Sequence, residues 1–139
     1  VICGKSGYFL QAFRRIGLVP DGGSTYLLAR TIGRTRAMEM TLLGEKVPAE
    51  QAMSWGLVNR VVEDDALMDT AKQIAQQLAE GPTQALALTR KLVWAACDGD
   101  FDGALRAERL AQRTAGRTDD FKEGVMAFLG KRKAEFKGK

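Results

Sequence analysis

The stretch from Ile16 to Leu28 fixes a point about which the rest of the chain must arrange itself. An apolar run, Ile16, Leu18 and Val19, is closed by Pro20, and Asp21, Gly22 and Gly23 then lead into a helix that the spacing predicts to begin near Ser24. Proline fixes φ and pushes its predecessor towards extended backbone, whereas paired glycines allow a sharp turn and let another backbone or a ligand come close. A lone carboxylate is thereby set at a helix N-terminus. Two uses of Asp21 stand side by side: an N-cap that accepts an orphan N–H and complements the helix dipole, or a group that does chemistry.

Upstream of the turn, Val1 and Ile2 open like a strand already under way, the Gly4-Lys5-Ser6-Gly7 segment reads as a turn, Tyr8 to Gln11 as a short strand, and Phe13 to Val19 as its extended continuation. The Gly4 to Gly7 segment lacks the glycine spacing and following helix of a phosphate-binding loop. Downstream, a helix to Thr31 is stopped by Gly33, a second runs from Arg34 to Leu43 and ends at Gly44, Pro48 suits the start of a short helix that Gly56 terminates, and Leu57 to Val62 is a strand. Residues 1–62 therefore read as α/β, and residues 63–139 as helices alone. Asp64 is placed to cap a helix to Glu80, Pro82 opens one ending near Cys97, Asp100 caps one from Phe101 to Thr114, and Asp120 with Glu123 has capping-box spacing before the stripe Phe121, Val125, Phe128 and Leu129. These amphipathic faces call for a partner surface.

Composition narrows the chemistry. The 139 residues contain no histidine, so neither a histidine triad nor a histidine-ligated zinc can be built from them, and Cys3 and Cys97 are too few and too far apart for a metal site or disulfide framework. No metal is expected, and the cysteine usage points to a reducing, cytoplasmic setting. No apolar run reaches the roughly 20 residues of a membrane helix, so no membrane partner is expected. The excess of 21 basic over 17 acidic side chains gives a net charge of +4. Much of it lies at the end of the chain, where Lys131, Arg132, Lys133, Lys137 and Lys139 face only Glu135. A polyanionic partner and a solvated tail both fit that excess; nucleic acid is not the expected partner.

Four motifs occur in order: the I-G-L-V-P-D-G-G turn, the helix pair L-x-R-x-x-G-x-x-R-A-x-E from Leu28 to Glu39, A-x-x-x-G-L-V from Ala52 to Val58, and F-x-x-K-R-K from Phe128 to Lys133. Together they resemble the crotonase, or enoyl-CoA hydratase/isomerase, superfamily, and the likeness corresponds to the C-terminal half of a family subunit. The resemblance implies the C-terminal part of a ββα spiral core over residues 1–62 and a helical trimerisation lobe over 63–139. It also implies a homotrimer or a dimer of trimers, an acyl-CoA thioester as substrate, and no cofactor beyond the CoA that the substrate carries. Fatty acid metabolism and phenylacetate degradation are the settings it suggests.

The same resemblance assigns roles. The position matching a catalytic glutamate of the hydratases, counted back from Gly17, is Phe13, and a phenyl ring cannot transfer a proton. The turn itself is similar to the branch of ring-epoxide phenylacetyl-CoA isomerases and some double-bond isomerases, in which an aspartate shuttles a proton; this implies Asp21 as catalytic acid/base. Phe13, Ile16 and Leu18 are candidates for the acyl wall, and Gly22 for the close approach of substrate. Phe128 and Lys131 match the family's aromatic and lysine that meet the CoA adenine and a phosphate. Arg30, Arg34 and Arg36 read as a surface helix face rather than phosphate clamps. An isomerase moving a proton through an enolate is thus expected; a hydratase, or a non-catalytic binding or scaffold protein touching RNA through its basic tail, are the alternatives.

Overall fold

The structure, a computed structural model, describes all residues from Val1 to Lys139. It divides into two compact units, Val1–Ala71 and Lys72–Lys139. The first is built on two small pairings. Strand β1 (Ile2–Gly4) runs parallel to β4 (Arg60–Val62), with Cys3 opposite Val61, and β2 (Tyr8–Phe9) runs antiparallel to β3 (Val47–Pro48), with Phe9 opposite Val47.

Three helices cover these pairs: α1 (Ser24–Ile32), α2 (Arg34–Leu43) and α3 (Ala49–Ser54). Leu28 and Ile32 from α1, Ala37 and Met40 from α2, Val47, Ala52 and Val58 form the buried core, with Phe9, Trp55, Leu57 and Val61 packed on it. Ala49 and Ala52 are wholly enclosed, their small side chains letting α3 approach the strands closely. Helix α2 is held from outside as well: the Arg36 guanidinium lies 5.6 Å over the Trp55 ring. Arg30 stacks in the same way, 3.7 Å from the Tyr26 ring centroid.

The expected extended run from Phe13 to Val19 is corrected by the structure. Phe13–Ile16 curls into a 3₁₀ turn closed by Gly17 in the left-handed region, with Gly17 N–H donating to Arg14 and Leu18 N–H to Phe13. The cause is tertiary. Arg14 donates to the Leu43 carbonyl at 2.6 Å and Arg15 to the Gly44 carbonyl at 3.1 Å, meeting carbonyls that the end of α2 leaves without helical partners. Gly44 itself sits at φ 62°, and a Cβ there would lie 2.8 Å from Arg14 Cδ. Gly44→Ala is therefore expected to cost about 1–3 kcal/mol, combining left-handed backbone strain with displacement of Arg14. Chemical denaturation measures it, and an unchanged midpoint would contradict this anchoring.

Two expected caps are also corrected. The Asp64 carboxylate does not cap the helix after it; it accepts from Ser6 N–H at 3.1 Å, and the Ser6 backbone and hydroxyl groups hold it below the usual carboxylate range. A 3₁₀ turn, Asp64–Ala66, intervenes before α4 (Leu67–Ala79).

In the second unit α5 (Thr83–Ala96) and α6 (Phe101–Ala115) pack together, and Asp100 caps α6 as expected, accepting from Gly103 N–H at 2.6 Å. The cap of α7 (Asp119–Leu129) is Thr118, whose hydroxyl accepts from Phe121 N–H at 3.1 Å, and not the expected Asp120–Glu123 box. Those two carboxylates are taken by the chain that follows α7. Large apolar side chains of this unit stay in the open, Phe101 being 76% and Phe128 83% exposed. No helix is long and apolar enough to cross a membrane.

Candidate active site

Residues Phe13 to Gly23 form one continuous ledge on the first unit. Its rear is the 3₁₀ turn pinned by Arg14 and Arg15, and its front is the turn at Gly22 and Gly23, which have φ of 60° and 75°. A Cβ at either glycine would meet nothing within 4 Å, so what these positions require is the left-handed backbone, available to glycine without steric cost. That geometry bears on the capping use of Asp21. Gly23 occupies the N-cap of α1 and no side chain caps the helix; the Asp21 main-chain carbonyl accepts from Ser24 N–H at 3.0 Å. The carboxylate is left exposed and without a partner in the chain, so the capping use of Asp21 is excluded.

Beside it, Ile16 is 73%, Leu18 60% and Val19 81% exposed, while Phe13 is half-buried at the root of the ledge. Phe13, Ile16, Leu18, Asp21 and Gly22 thus lie along one stretch of chain, on which the Asp21 carboxylate and the Ile16 and Leu18 side chains are exposed. Such an arrangement can accept and return a proton against an apolar ligand. No group of histidine, cysteine and carboxylate side chains is assembled for a metal.

Phe128 and Lys131 belong to the second unit. Phe128 lies in the last turn of α7 and, with Pro82, Phe121, Val125, Leu129 and Phe136, lines an apolar cavity of about 400 Å³. Lys131 follows the helix in the left-handed region at φ 50°, the one non-glycine residue of the chain with positive φ. A lysine gains nothing intrinsically from that conformation, so the surroundings impose it. Arg132 folds back, its two terminal nitrogens reaching the Glu123 oxygens at 2.6 and 2.8 Å, and Glu123 also accepts from Glu135 N–H at 2.9 Å. The Arg132 guanidinium, then the Glu135 N–H, pull the Glu123 carboxyl down to about 2.

Further along, Asp120, only 4% exposed, accepts from the N–H groups of Lys137 and Gly138 at 2.7 and 2.8 Å. The Phe136 ring, just before them in the chain, lies over Gly124. The basic tail is therefore a strap along α7 rather than a free solvated end. Sequence reasoning missed Arg14, Arg15, Asp120 and Glu123 as supports; the one local signal was the pair of α7 acids facing a basic terminus.

A family model described as enoyl-CoA hydratase/isomerase matches residues 1–139, and the chain belongs to that family. Among its relatives, the 1,2-epoxyphenylacetyl-CoA isomerase of Escherichia coli (strain K12) is 48% identical over 139 residues, covering all of this chain and 53% of the relative. The mitochondrial enoyl-CoA hydratase of Pongo abelii is 34% identical over 137 residues, covering 99% of this chain and 47% of the relative. In three dimensions the chain superposes on an enoyl-CoA hydratase from Bacillus anthracis with a TM-score of 0.95 at 30% identity, covering 99% of this chain and 54% of the other. The crotonase fold expected from the motifs is thus observed. The chain spans about half the length of the relatives it matches.

Proposed function

We propose that the protein is an acyl-CoA isomerase of the enoyl-CoA hydratase/isomerase family, with Asp21 as the acid/base. The observation that carries this reading is the uncommitted Asp21 carboxylate, exposed at a turn of left-handed glycines in the same stretch of chain as the exposed Ile16 and Leu18. In the isomerisation of a 3-enoyl thioester, the carboxylate takes the proton from C2, which the thioester carbonyl acidifies. Negative charge moves onto the thioester oxygen as the enolate forms, and the same carboxylic acid returns the proton to C4. The bond order shifts by one position and nothing else is consumed. Phe13, Ile16 and Leu18 supply apolar contact for the acyl chain, and Gly22 lets the thioester come close to the backbone.

Phe128 and Lys131 serve the nucleotide end of CoA, the ring by stacking and the ammonium as a point charge for phosphate. The exposed apolar side chains of α5 to α7 suit packing against further copies, as a homotrimer or a dimer of trimers, in a reducing, cytoplasmic setting. The similarity to the ring-epoxide isomerase favours a related substrate and, with it, phenylacetate degradation. A hydratase is the second reading, favoured by the hydratases among the relatives; Phe13, in place of a carboxylate, speaks against it.

A spectrophotometric screen of the full-length protein separates these readings. Isomerisation of a 3-enoyl or ring-epoxide CoA thioester is the expected result. Water addition to a 2-enoyl-CoA would favour the hydratase, and no turnover with either class would favour a binding subunit. Lys131→Ala is expected to raise KM about 10-fold with kcat little changed, the loss of one phosphate contact worth roughly 1.4 kcal/mol. An unaltered KM would remove Lys131 from the binding site.

A further inference from the structure

Chain direction reverses at Gly130–Lys131, and the residues after the reversal run back along α7. The N–H of Lys131 donates to the Phe128 carbonyl and that of Arg132 to the Ala127 carbonyl, at 3.2 and 3.0 Å. These two bonds close a tight turn but do not fix which way the Lys131 side chain leaves it. The neighbour does. Arg132 presents both terminal nitrogens to both oxygens of Glu123. A bidentate guanidinium–carboxylate pair constrains orientation as well as distance. Lys131 is held between that clamp and the end of α7, in a left-handed conformation that costs a non-glycine residue about 1–2 kcal/mol. Glu123 adds a second grip on the same segment by accepting the Glu135 N–H at 2.9 Å.

We propose that Glu123 is a positioning residue for substrate recognition: through Arg132 it locks the turn so that the Lys131 ammonium is presented, preorganised, to the phosphates of the CoA nucleotide. This inference rests on the assignment of Lys131 to CoA made above. A side chain that is held in its binding conformation before the ligand arrives loses less conformational freedom on binding. The opposite arrangement, a free lysine on a frayed terminus, would carry the same charge and bind more weakly.

The test uses the full-length enzyme and two substrates sharing one acyl group: the CoA thioester, which carries the phosphates, and a truncated N-acetylcysteamine thioester, which does not. Glu123→Gln keeps the shape of the side chain and removes its charge. It is expected to raise KM for the CoA thioester about 10-fold, leave kcat within about 2-fold, and leave kcat/KM for the truncated thioester unchanged, since every contact it governs lies at the nucleotide end. Arg132→Lys, which keeps the charge and loses the fork, is expected to give the same pattern even should Glu123→Gln fold poorly.

In a Lys131→Ala background Glu123→Gln should add nothing, because the group being positioned is gone. An equal loss for both substrates, or a full additive loss in the Lys131→Ala background, would overturn the proposal by reducing Glu123 to a structural role. If Lys131→Ala alone leaves the preference for CoA over the truncated thioester intact, the assignment of Lys131 has failed and this inference falls with it. If Lys131→Ala lowers the preference and neither Glu123→Gln nor Arg132→Lys does, the positioning role alone is wrong.

Discussion

Asp21→Asn is expected to lower turnover of the isomerisable thioester by about 10²–10⁴-fold while leaving the melting temperature where it was. The first half follows from chemistry: positioned proton transfer contributes about that factor, and an amide cannot carry the proton. The second follows from geometry. Asp21 caps nothing, Gly23 being the N-cap of α1, and its carboxylate has no partner in the chain that the substitution would remove. KM should change little, because the acyl contacts at Phe13, Ile16 and Leu18 remain. Single-turnover and steady-state assays with CD melts read both halves. Unchanged turnover would remove Asp21 from the chemistry; lost turnover with a lowered melting temperature would point to damage to the turn.

The largest effect on stability is expected at Asp120, outside the ledge. Asp120→Ala removes a carboxylate that is 4% exposed and accepts two main-chain N–H groups, those of Lys137 and Gly138. Hydrogen bonds to a charged group contribute about 1.5–3 kcal/mol each. Part of the loss is recovered, because the released tail can turn its N–H groups to water, which leaves an expected cost of about 2–4 kcal/mol. The consequence extends to packing: with the strap loosened, Phe136 leaves Gly124 and the apolar cavity gains solvent. Urea denaturation measures the cost, and hydrogen exchange at Lys137 and Gly138 localises it. Asp120→Asn keeps one acceptor and should fall between. A loss under about 1 kcal/mol with unchanged exchange at those two amides would mean that the strap is held by Phe136 packing alone.

These two aspartates mark the limit of what the sequence discloses. Both precede or open a helix, and local spacing suggests capping for both. Asp21 is freed from that task because two consecutive glycines in the left-handed region turn the main chain so that its carbonyl meets Ser24 N–H. Asp120 is withdrawn from it because Thr118 caps first and the returning tail offers two N–H groups. Asp64 behaves in the same way, preferring Ser6, far away in the chain, to the helix it opens. Phe13 to Ile16 reads as extended by its apolar content, yet the two arginines inside the run find unsatisfied carbonyls at the end of α2 and draw it into a 3₁₀ turn.

By itself the sequence determined what depends on near neighbours. Apolar residues at helical spacing gave α2 and α4 to α7, glycines placed the breaks after α2 and α3, and the order of four motifs gave the family. Only the tertiary structure decided which partner each charged side chain takes, and therefore which carboxylate is left free at the turn and which ones bind the tail. The reason is physical: helical periodicity and positive φ are set within a few residues, whereas an ion or hydrogen-bond partner is whichever group the completed fold brings within 3 Å or so.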